Sequence, residues 1–141
     1  MHAVDVNVLL YATDIRADRH EPAHRWLTQA LNAPAGVGFT WLVLLGFLRL
    51  ATHPRVYERP LPVSDAVHAV ETWLSSPGAT ILEPTGRHWR VLSGLVTPLG
   101  TGGNITNDAH LAAIALEHGV DVCSYDNDFD RFPGIRRHAP T

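Results

Sequence analysis

The sequence contains no lysine, so all eleven of its basic side chains are arginines. With fourteen acidic residues the net charge is −3 when histidine is neutral, which argues against a uniformly basic nucleic-acid-binding protein. No apolar run approaches the ~18 residues that cross a bilayer. The beginning of the sequence also lacks the basic leader and apolar core of a signal peptide. We therefore expect a soluble, cytoplasmic protein with no membrane partner.

Cysteine is nearly absent, since Cys123 is the only one. An internal disulfide is thereby excluded. Cys123 lies in the apolar stretch VDVCS, which favours a small core residue over a reactive thiol. A chain of 141 residues suits one domain with a sizeable core, and we expect a single domain over residues 1–141.

Short apolar stretches alternate with segments of helical periodicity along the chain. The strand candidates are HAVD, GVGFT, ATILEP, VDVCS and GIRRHA. The helix candidates are NVLLYA, EPAHRWLTQALN, TWLVLLGFLRLATHP, SDAVHAVETWLS, TGRHWRVLSGLVTPLG and ITNDAHLAAIALEHG. Asn7, Thr40 and Ser64 are candidate N-caps, and Thr85 is expected to start its helix. The four tryptophans fall on helical stripes and are interpreted as core or interface residues. This alternation predicts an α/β fold with a mainly parallel sheet.

Acidic residues follow the first and fourth predicted strands. Asp5 ends HAVD, Asp126 and Asp128 follow VDVCS, and Asp108 opens the long late helix. Ligands of parallel sheets bind beyond the carboxyl ends of the strands, so we expect these carboxylates to converge there. Each acid also has an ordinary explanation, since acids favour helix N-termini and loop turns.

Converging carboxylates repel one another and raise one another's pKa unless a counter-charge is present. Mg²⁺ and Mn²⁺ prefer oxygen ligands and remove that conflict. A divalent cation at such a site supports phosphodiester hydrolysis, which is expected to leave a 5′-phosphate and a 3′-hydroxyl.

Four segments, AVDVNVLLYA, LLGFLRLATHPRV, NDAHLAAIALEHG and SYDNDFDRFPGI, together resemble the PIN-domain ribonucleases, and within them the VapC toxins of bacterial VapBC toxin–antitoxin pairs. The resemblance spans essentially the whole chain. It implies a three-layer α/β/α sandwich with a sheet of four or five strands. It implies a Mg²⁺- or Mn²⁺-dependent endoribonuclease that cleaves structured RNA such as tRNA or rRNA. It also implies a homodimer that is silenced by a cognate VapB-type antitoxin.

The resemblance assigns roles to individual residues. It makes Asp5, Asp108 and Asp126 the metal-binding aspartates and Asp128 a further catalytic acid. The polar residues that match supporting positions behind the acids are Asn7 and Ser124.

The chain departs from the family pattern in the helix after the second strand. A glutamate is usual there, but Gly46 occupies the best-matching position, and no acid lies between Glu21 and Glu58. Arg49 shares a helical face with Gly46, where it is either an RNA contact or a surface or dimer-interface residue. The missing acid leaves open a catalytically weak or inactive PIN-like module that binds RNA or protein. A nuclease for DNA ends or flaps is a third hypothesis.

Overall fold

A five-stranded, entirely parallel sheet forms the centre of the computed structural model, which describes residues 1–141. Its strands are β1 (His2–Val4), β2 (Val37–Phe39), β3 (Ala79–Ile81), β4 (Asp121–Cys123) and β5 (Arg137–His138). Their order across the sheet is β3-β2-β1-β4-β5. The predicted parallel α/β fold is confirmed.

Helices cover both faces of this sheet. They are α1 (Val6–Thr13), α2 (His20–Leu31), α3 (Trp41–Ala51), α4 (Val63–Leu74), α5 (His88–Val96) and α6 (Ile105–His118). The chain moves outward from β1 to β2 to β3 and then crosses back to β4. Because such crossovers are right-handed, α1–α4 lie on one face, and α5 and α6 lie on the other. The result is the predicted three-layer sandwich, and none of its helices is both long and apolar enough to cross a membrane.

The sheet is buried between the two helical layers. All three residues of β2 are buried, as expected for a central parallel strand covered on both faces. The Phe39 ring stacks on Trp73, with 6.3 Å between ring centroids, and Phe47 contacts the same indole edge-on. Cys123 is fully buried in β4, so its interpretation as a core residue is confirmed.

Helix starts differ from the predictions at three places. Asp5, not Asn7, is the N-cap of α1, because the helix begins directly after β1 and the Asp5 carboxylate accepts a hydrogen bond from Val6 N. Pro62 occupies the cap position of α4, which therefore starts one residue before Ser64. The α5 helix begins only at His88, since Thr85 is held in the preceding turn by the Glu117 carboxylate. Thr40 caps α3 as predicted.

Two tryptophans lie outside the core. Trp41 is 50% exposed and Trp89 is 75% exposed, so of the two predicted roles, core or interface, the core role is excluded for Trp89 and Trp41. In α3 the buried face consists of Val43, Leu44, Phe47 and Ala51. That helix is apolar on nearly every side, so its periodicity did not fix which face turns inward.

The sheet topology creates one crevice suited to a ligand. Strand β1 has β2 on one side and β4 on the other, and the crossovers that follow these strands leave in opposite directions. Ligands of open parallel sheets bind at such a switch point, beyond the carboxyl ends of the strands. Asp5 follows β1 and Ser124 follows β4, so both residues lie at this crevice.

Candidate active site

Asp5 is a nearly buried carboxylate at the end of β1, with 7% of the residue exposed. Its backbone N–H donates to Cys123 O at 2.9 Å, which extends the ladder between β1 and β4. Its Oδ1 accepts from Val6 N at 2.7 Å. Its Oδ2 accepts from Ser124 Oγ at 2.6 Å and from Asn7 Nδ2 at 2.9 Å. These donors offset much of the cost of burying the charge.

Ser124 and Asn7 connect Asp5 to the segment that carries the later acids. Ser124 Oγ accepts a hydrogen bond from Asp126 N at 2.9 Å and another from Asn7 Nδ2 at 3.1 Å. Asn7 Oδ1 accepts from Tyr125 N at 3.1 Å. The two residues predicted to support the acids therefore lie between Asp5 and Asp126, where they fix the position of both.

Three carboxylates converge in front of this network. Asp108 projects from the first turn of α6, and Asp126 caps the 3₁₀ turn Asn127–Arg131 that contains Asp128. Asp126 Oδ1 accepts from Asp128 N at 2.9 Å, which is the predicted Asx turn. One oxygen from each of Asp108, Asp126 and Asp128 lies within 4.8 Å of the other two.

Asp5 stands beside this acidic group rather than within it. The sequence prediction placed Asp5, Asp108 and Asp126 around the metal and assigned Asp128 a catalytic role. In the structure Asp128 is one of the three grouped acids, while both Asp5 oxygens accept hydrogen bonds from the protein. The Asp5 charge still acts on the group, because it raises the pKa of Asp108.

The carboxylates of the site outnumber their ion pairs: Arg131 Nη1 lies 3.9 Å from Asp128 Oδ1, and no salt bridge reaches Asp5, Asp108 or Asp126. Burial raises the pKa of Asp108 to about 7, and the charges of Asp5, Asp126 and Asp128 contribute to the rise. Burial also raises the pKa of Asp5, although the Ser124 and Val6 hydrogen bonds oppose the change. A set of oxygen donors with surplus negative charge fits a hard divalent cation such as Mg²⁺ or Mn²⁺.

A cleft of about 500 Å³ opens next to the acids, between α3 and the start of α6. Its lining includes Asp5, Asp108 and Gly46, together with Arg49 and the amide side chains at the start of α6, Asn104 and Asn107. A Cβ atom built on Gly46 would meet only Val6 Cγ2, at 3.6 Å, which is ordinary van der Waals contact. The position therefore has room for a side chain, and the chain supplies no carboxylate there.

Sequence reasoning missed Arg137, which lies in β5 behind the acidic segment. Its guanidinium forms a two-pronged ion pair with Asp130, at 2.9 and 3.0 Å, and donates to Ser124 O at 3.2 Å. The only signal in the sequence is an arginine pair in the short last strand, after an acid-rich loop. That pattern does not distinguish Arg137 from its neighbour Arg136.

The chain as a whole is similar to proteins of one family. The PIN domain family matches residues 3–135. The chain is 48% identical over 140 residues to Ribonuclease VapC37 of Mycobacterium tuberculosis, covering 99% of this chain and 97% of that protein. It is 39% identical over 136 residues to Ribonuclease VapC33 of the same species, covering 96% and 95%.

Solved structures share the fold at low sequence identity. VapC20 of Mycobacterium tuberculosis, described as a sarcin–ricin-loop-cleaving toxin, superposes with a TM-score of 0.71 at 19% identity, covering 96% of this chain and 97% of that one. VapBC2 of Rickettsia felis, bound to a promoter DNA fragment, gives 0.69 at 16% identity, covering 99% and 98%. These likenesses support the three-layer architecture.

Proposed function

The chain belongs to the PIN domain family and to its VapC ribonucleases, and from that premise we propose that it is a metal-dependent endoribonuclease, the toxin of a type II toxin–antitoxin pair. Its substrate is a structured RNA such as tRNA or rRNA. The observation that supports this proposal most directly is the meeting of Asp108, Asp126 and Asp128 within 4.8 Å at the switch point of the sheet. Three like charges at this distance repel one another, and a bound divalent cation would relieve that repulsion.

The residues at the carboxyl edge of the sheet have different roles in the proposed reaction. Asp108, Asp126 and Asp128 would hold a Mg²⁺ or Mn²⁺ ion, with Asp5 adding negative charge beside them. Such a cation, when bound, polarises a phosphate oxygen and makes water a better nucleophile at neutral pH. Ser124 and Asn7 keep Asp5 and Asp126 in fixed positions, so little reorganisation is needed when the phosphate arrives.

RNA enters along the cleft between α3 and α6. Arg49 lines its wall, where an exposed guanidinium suits a phosphate oxygen through paired N–H groups. Asn104 and Asn107 line the same cleft and add amide groups that donate hydrogen bonds to phosphate or sugar. These three side chains orient the strand, and the carboxylates act at the scissile phosphate.

The partners follow from the same proposal. Related structures contain VapBC complexes, from Rickettsia felis and from Haemophilus influenzae, and a cognate VapB-type antitoxin would cover this site in the cytoplasm. Trp41 at the start of α3 is 50% exposed and does not line the cleft, and we assign this apolar surface to contact with a second copy of the chain. A dimer mass in solution supports that assignment, and a monomer mass at micromolar concentration contradicts it.

The cleanest test replaces Asp108 with asparagine. The pKa of Asp108 responds to burial and neighbouring charges but to no hydrogen bond, so Asp108→Asn removes a charge without breaking the protein's network. Purified protein is incubated with tRNA and rRNA and with Mn²⁺ or Mg²⁺. We expect cleavage that requires the metal, leaves 5′-phosphate ends and falls at least 10²-fold in the variant, in line with the loss of one preorganised stabilising group. Asp18→Asn, an exposed aspartate remote from the cleft, is the matched control.

The alternative function is a PIN-like module that binds RNA or protein without cutting. It predicts RNA of unchanged length at every metal concentration, even when a gel shift demonstrates binding. Cleavage that is equal in wild type and Asp108→Asn would point instead to a contaminating nuclease and would remove the support for the proposed site. Single- and double-stranded DNA, tested in parallel, separate an RNA-cutting enzyme from a DNA nuclease.

A further inference from the structure

We propose that Arg137 is a positioning residue that holds the segment carrying Asp126 and Asp128 in its metal-binding arrangement. The inference rests on the proposed function, because it concerns the same acidic group. Arg137 does not line the cleft. It contacts the segment from the side of β5, and it acts through residues that flank the acids.

One contact of Arg137 lies at the far end of the acidic segment. Its Nε and Nη2 atoms donate to the two carboxylate oxygens of Asp130, at 2.9 and 3.0 Å. This two-pronged geometry fixes the direction of the carboxylate as well as its distance. Asp130 therefore serves as an anchor for the 3₁₀ turn that contains Asp128.

The other contact of Arg137 lies at the near end of the segment. Its Nη1 donates to Ser124 O at 3.2 Å, and the N–H of Ser124 donates to His138 O at 2.9 Å. Strand β5 thus holds both backbone polar groups of Ser124. The Ser124 hydroxyl, in turn, positions Asp5 and Asp126. A single guanidinium therefore connects the two ends of the segment 124–130.

Arg136 provides an internal comparison. It makes a single hydrogen bond to Asp121 at 3.3 Å, and its side chain is 85% exposed. The Arg137 side chain is only 20% exposed. Exposed single ion pairs contribute about 0–1 kcal/mol to stability. Arg136→Ala therefore removes the neighbouring arginine, just before β5, without touching the acidic segment.

Charge and geometry make opposite predictions for the loss of Arg137. Removing a cation near the site would strengthen the binding of a metal ion, whereas releasing the segment would weaken it. The double variant Arg137→Ala/Asp130→Asn deletes one positive and one negative charge, so the net charge is unchanged. Any change in Mn²⁺ binding by this variant therefore reports the release of the acidic segment and not a change in net charge.

The test measures Mn²⁺ binding by electron paramagnetic resonance of the free ion, at pH 7.5, in protein whose folding is checked by circular dichroism. Loss of a residue that orients metal ligands typically weakens binding 10- to 100-fold. We expect at least tenfold weaker binding for Arg137→Ala/Asp130→Asn and less than twofold change for Arg136→Ala. In cleavage assays the double variant should require more Mn²⁺ for half-maximal rate, while its KM for RNA at saturating Mn²⁺ stays unchanged.

If the double variant does not fold, Arg137→Lys provides the alternative test. It keeps the charge but replaces the planar fork by a single point donor, so binding several-fold weaker than wild type is expected. Wild-type Mn²⁺ affinity in either folded variant overturns the role of Arg137. Failure of the proposed function gives a different result: wild-type protein then binds no Mn²⁺, or Asp108→Asn binds it equally well.

Discussion

Removal of the Asp108 charge should stabilise the metal-free protein at high pH, although the residue lies in the candidate site. The pKa of Asp108 rises from 3.8 to about 7 in the folded protein, through burial and through the charges of Asp5, Asp126 and Asp128. Because the folded protein keeps this proton to higher pH than the unfolded chain, ionisation opposes folding. The penalty is absent below pH 4, grows as the pH rises, and is complete above pH 7.

The size of this penalty follows from the same change in pKa. A rise of about three in the pKa of Asp108 corresponds to a loss of about 4 kcal/mol in the free energy of unfolding when screening is neglected. Asp108 is partly exposed, so solvent reduces the penalty to about 1–2 kcal/mol. The charge also gains about 0.3–1 kcal/mol from the N-terminus of α6, and asparagine loses that gain. Asp108→Asn should therefore raise the free energy of unfolding by about 1 kcal/mol at pH 8 and by about zero at pH 4.

Urea unfolding in EDTA at pH 4 and pH 8 measures both differences. A change of about 1 kcal/mol in the free energy of unfolding shifts the melting temperature of a chain of this size by about 4 °C. Mn²⁺ should reverse the order at pH 8, because a ligand at 100 times its Kd stabilises the binding-competent wild type by about 2.7 kcal/mol. If metal-free Asp108→Asn is no more stable than wild type at pH 8, the carboxylates do not repel one another as the structure requires. Asp18→Asn should show no such pH-dependent gain.

Two further changes test other parts of the structure. Gly46→Glu adds a carboxylate beside Asp5 and Asp108 at a position with room for a Cβ atom, so the Kd for Mn²⁺ should fall several-fold. The control is Gly46→Gln, which has the same gain in helix propensity, up to about 1 kcal/mol, but no charge. Equal Mn²⁺ binding by the two variants would show that the carboxylate is not a ligand. Glu117→Gln disturbs a fully buried carboxylate that accepts hydrogen bonds from Thr85 and His88, and it should cost about 1–3 kcal/mol at pH 7 in thermal or urea unfolding. Burial tends to raise the pKa of Glu117, but the Thr85 and His88 hydrogen bonds bring it below the usual value of 4.5, so this loss should persist down to about pH 4.5 and shrink at lower pH. Exposed Glu71→Gln is the control, and an equal effect of both changes would exclude the buried network.

The parallel sheet and the edge that carries the acids were largely predictable, because buried parallel strands have short apolar sequences and their carboxyl ends lie at the same edge. Only part of the role of Asp5, as both helix cap and buried acid, could be predicted from the sequence. Its position at the end of HAVD was clear, but the hydrogen bond from Ser124, 119 residues away along the chain, has no local signature. The grouping of Asp128 rather than Asp5 with Asp108 depends on a 3₁₀ turn, whose geometry follows from contacts with β5 and α6.

Tertiary packing also decided where the tryptophans lie. Helical spacing left both a core and an interface position open for Trp41 and Trp89, and both side chains are exposed. Smaller residues fill the interior against the sheet instead, including a run of buried alanines in α6. Periodicity indicates that a helix has an apolar face, but an all-apolar helix such as α3 leaves its orientation to its neighbours.

The pairing of the first strand with the fourth has a consequence for the order of synthesis. β1 is made first, yet its partner β4 begins at Asp121, and domains form from the N-terminus as the ribosome adds about 5–20 residues per second. Until Ser124 and Asp126 have left the ribosome, Asp5 has no hydroxyl donor and Asp108 has no neighbouring acids from the later segment. A growing chain therefore passes most of its synthesis without an assembled cutting site, beside the very RNA molecules that the finished protein is proposed to attack.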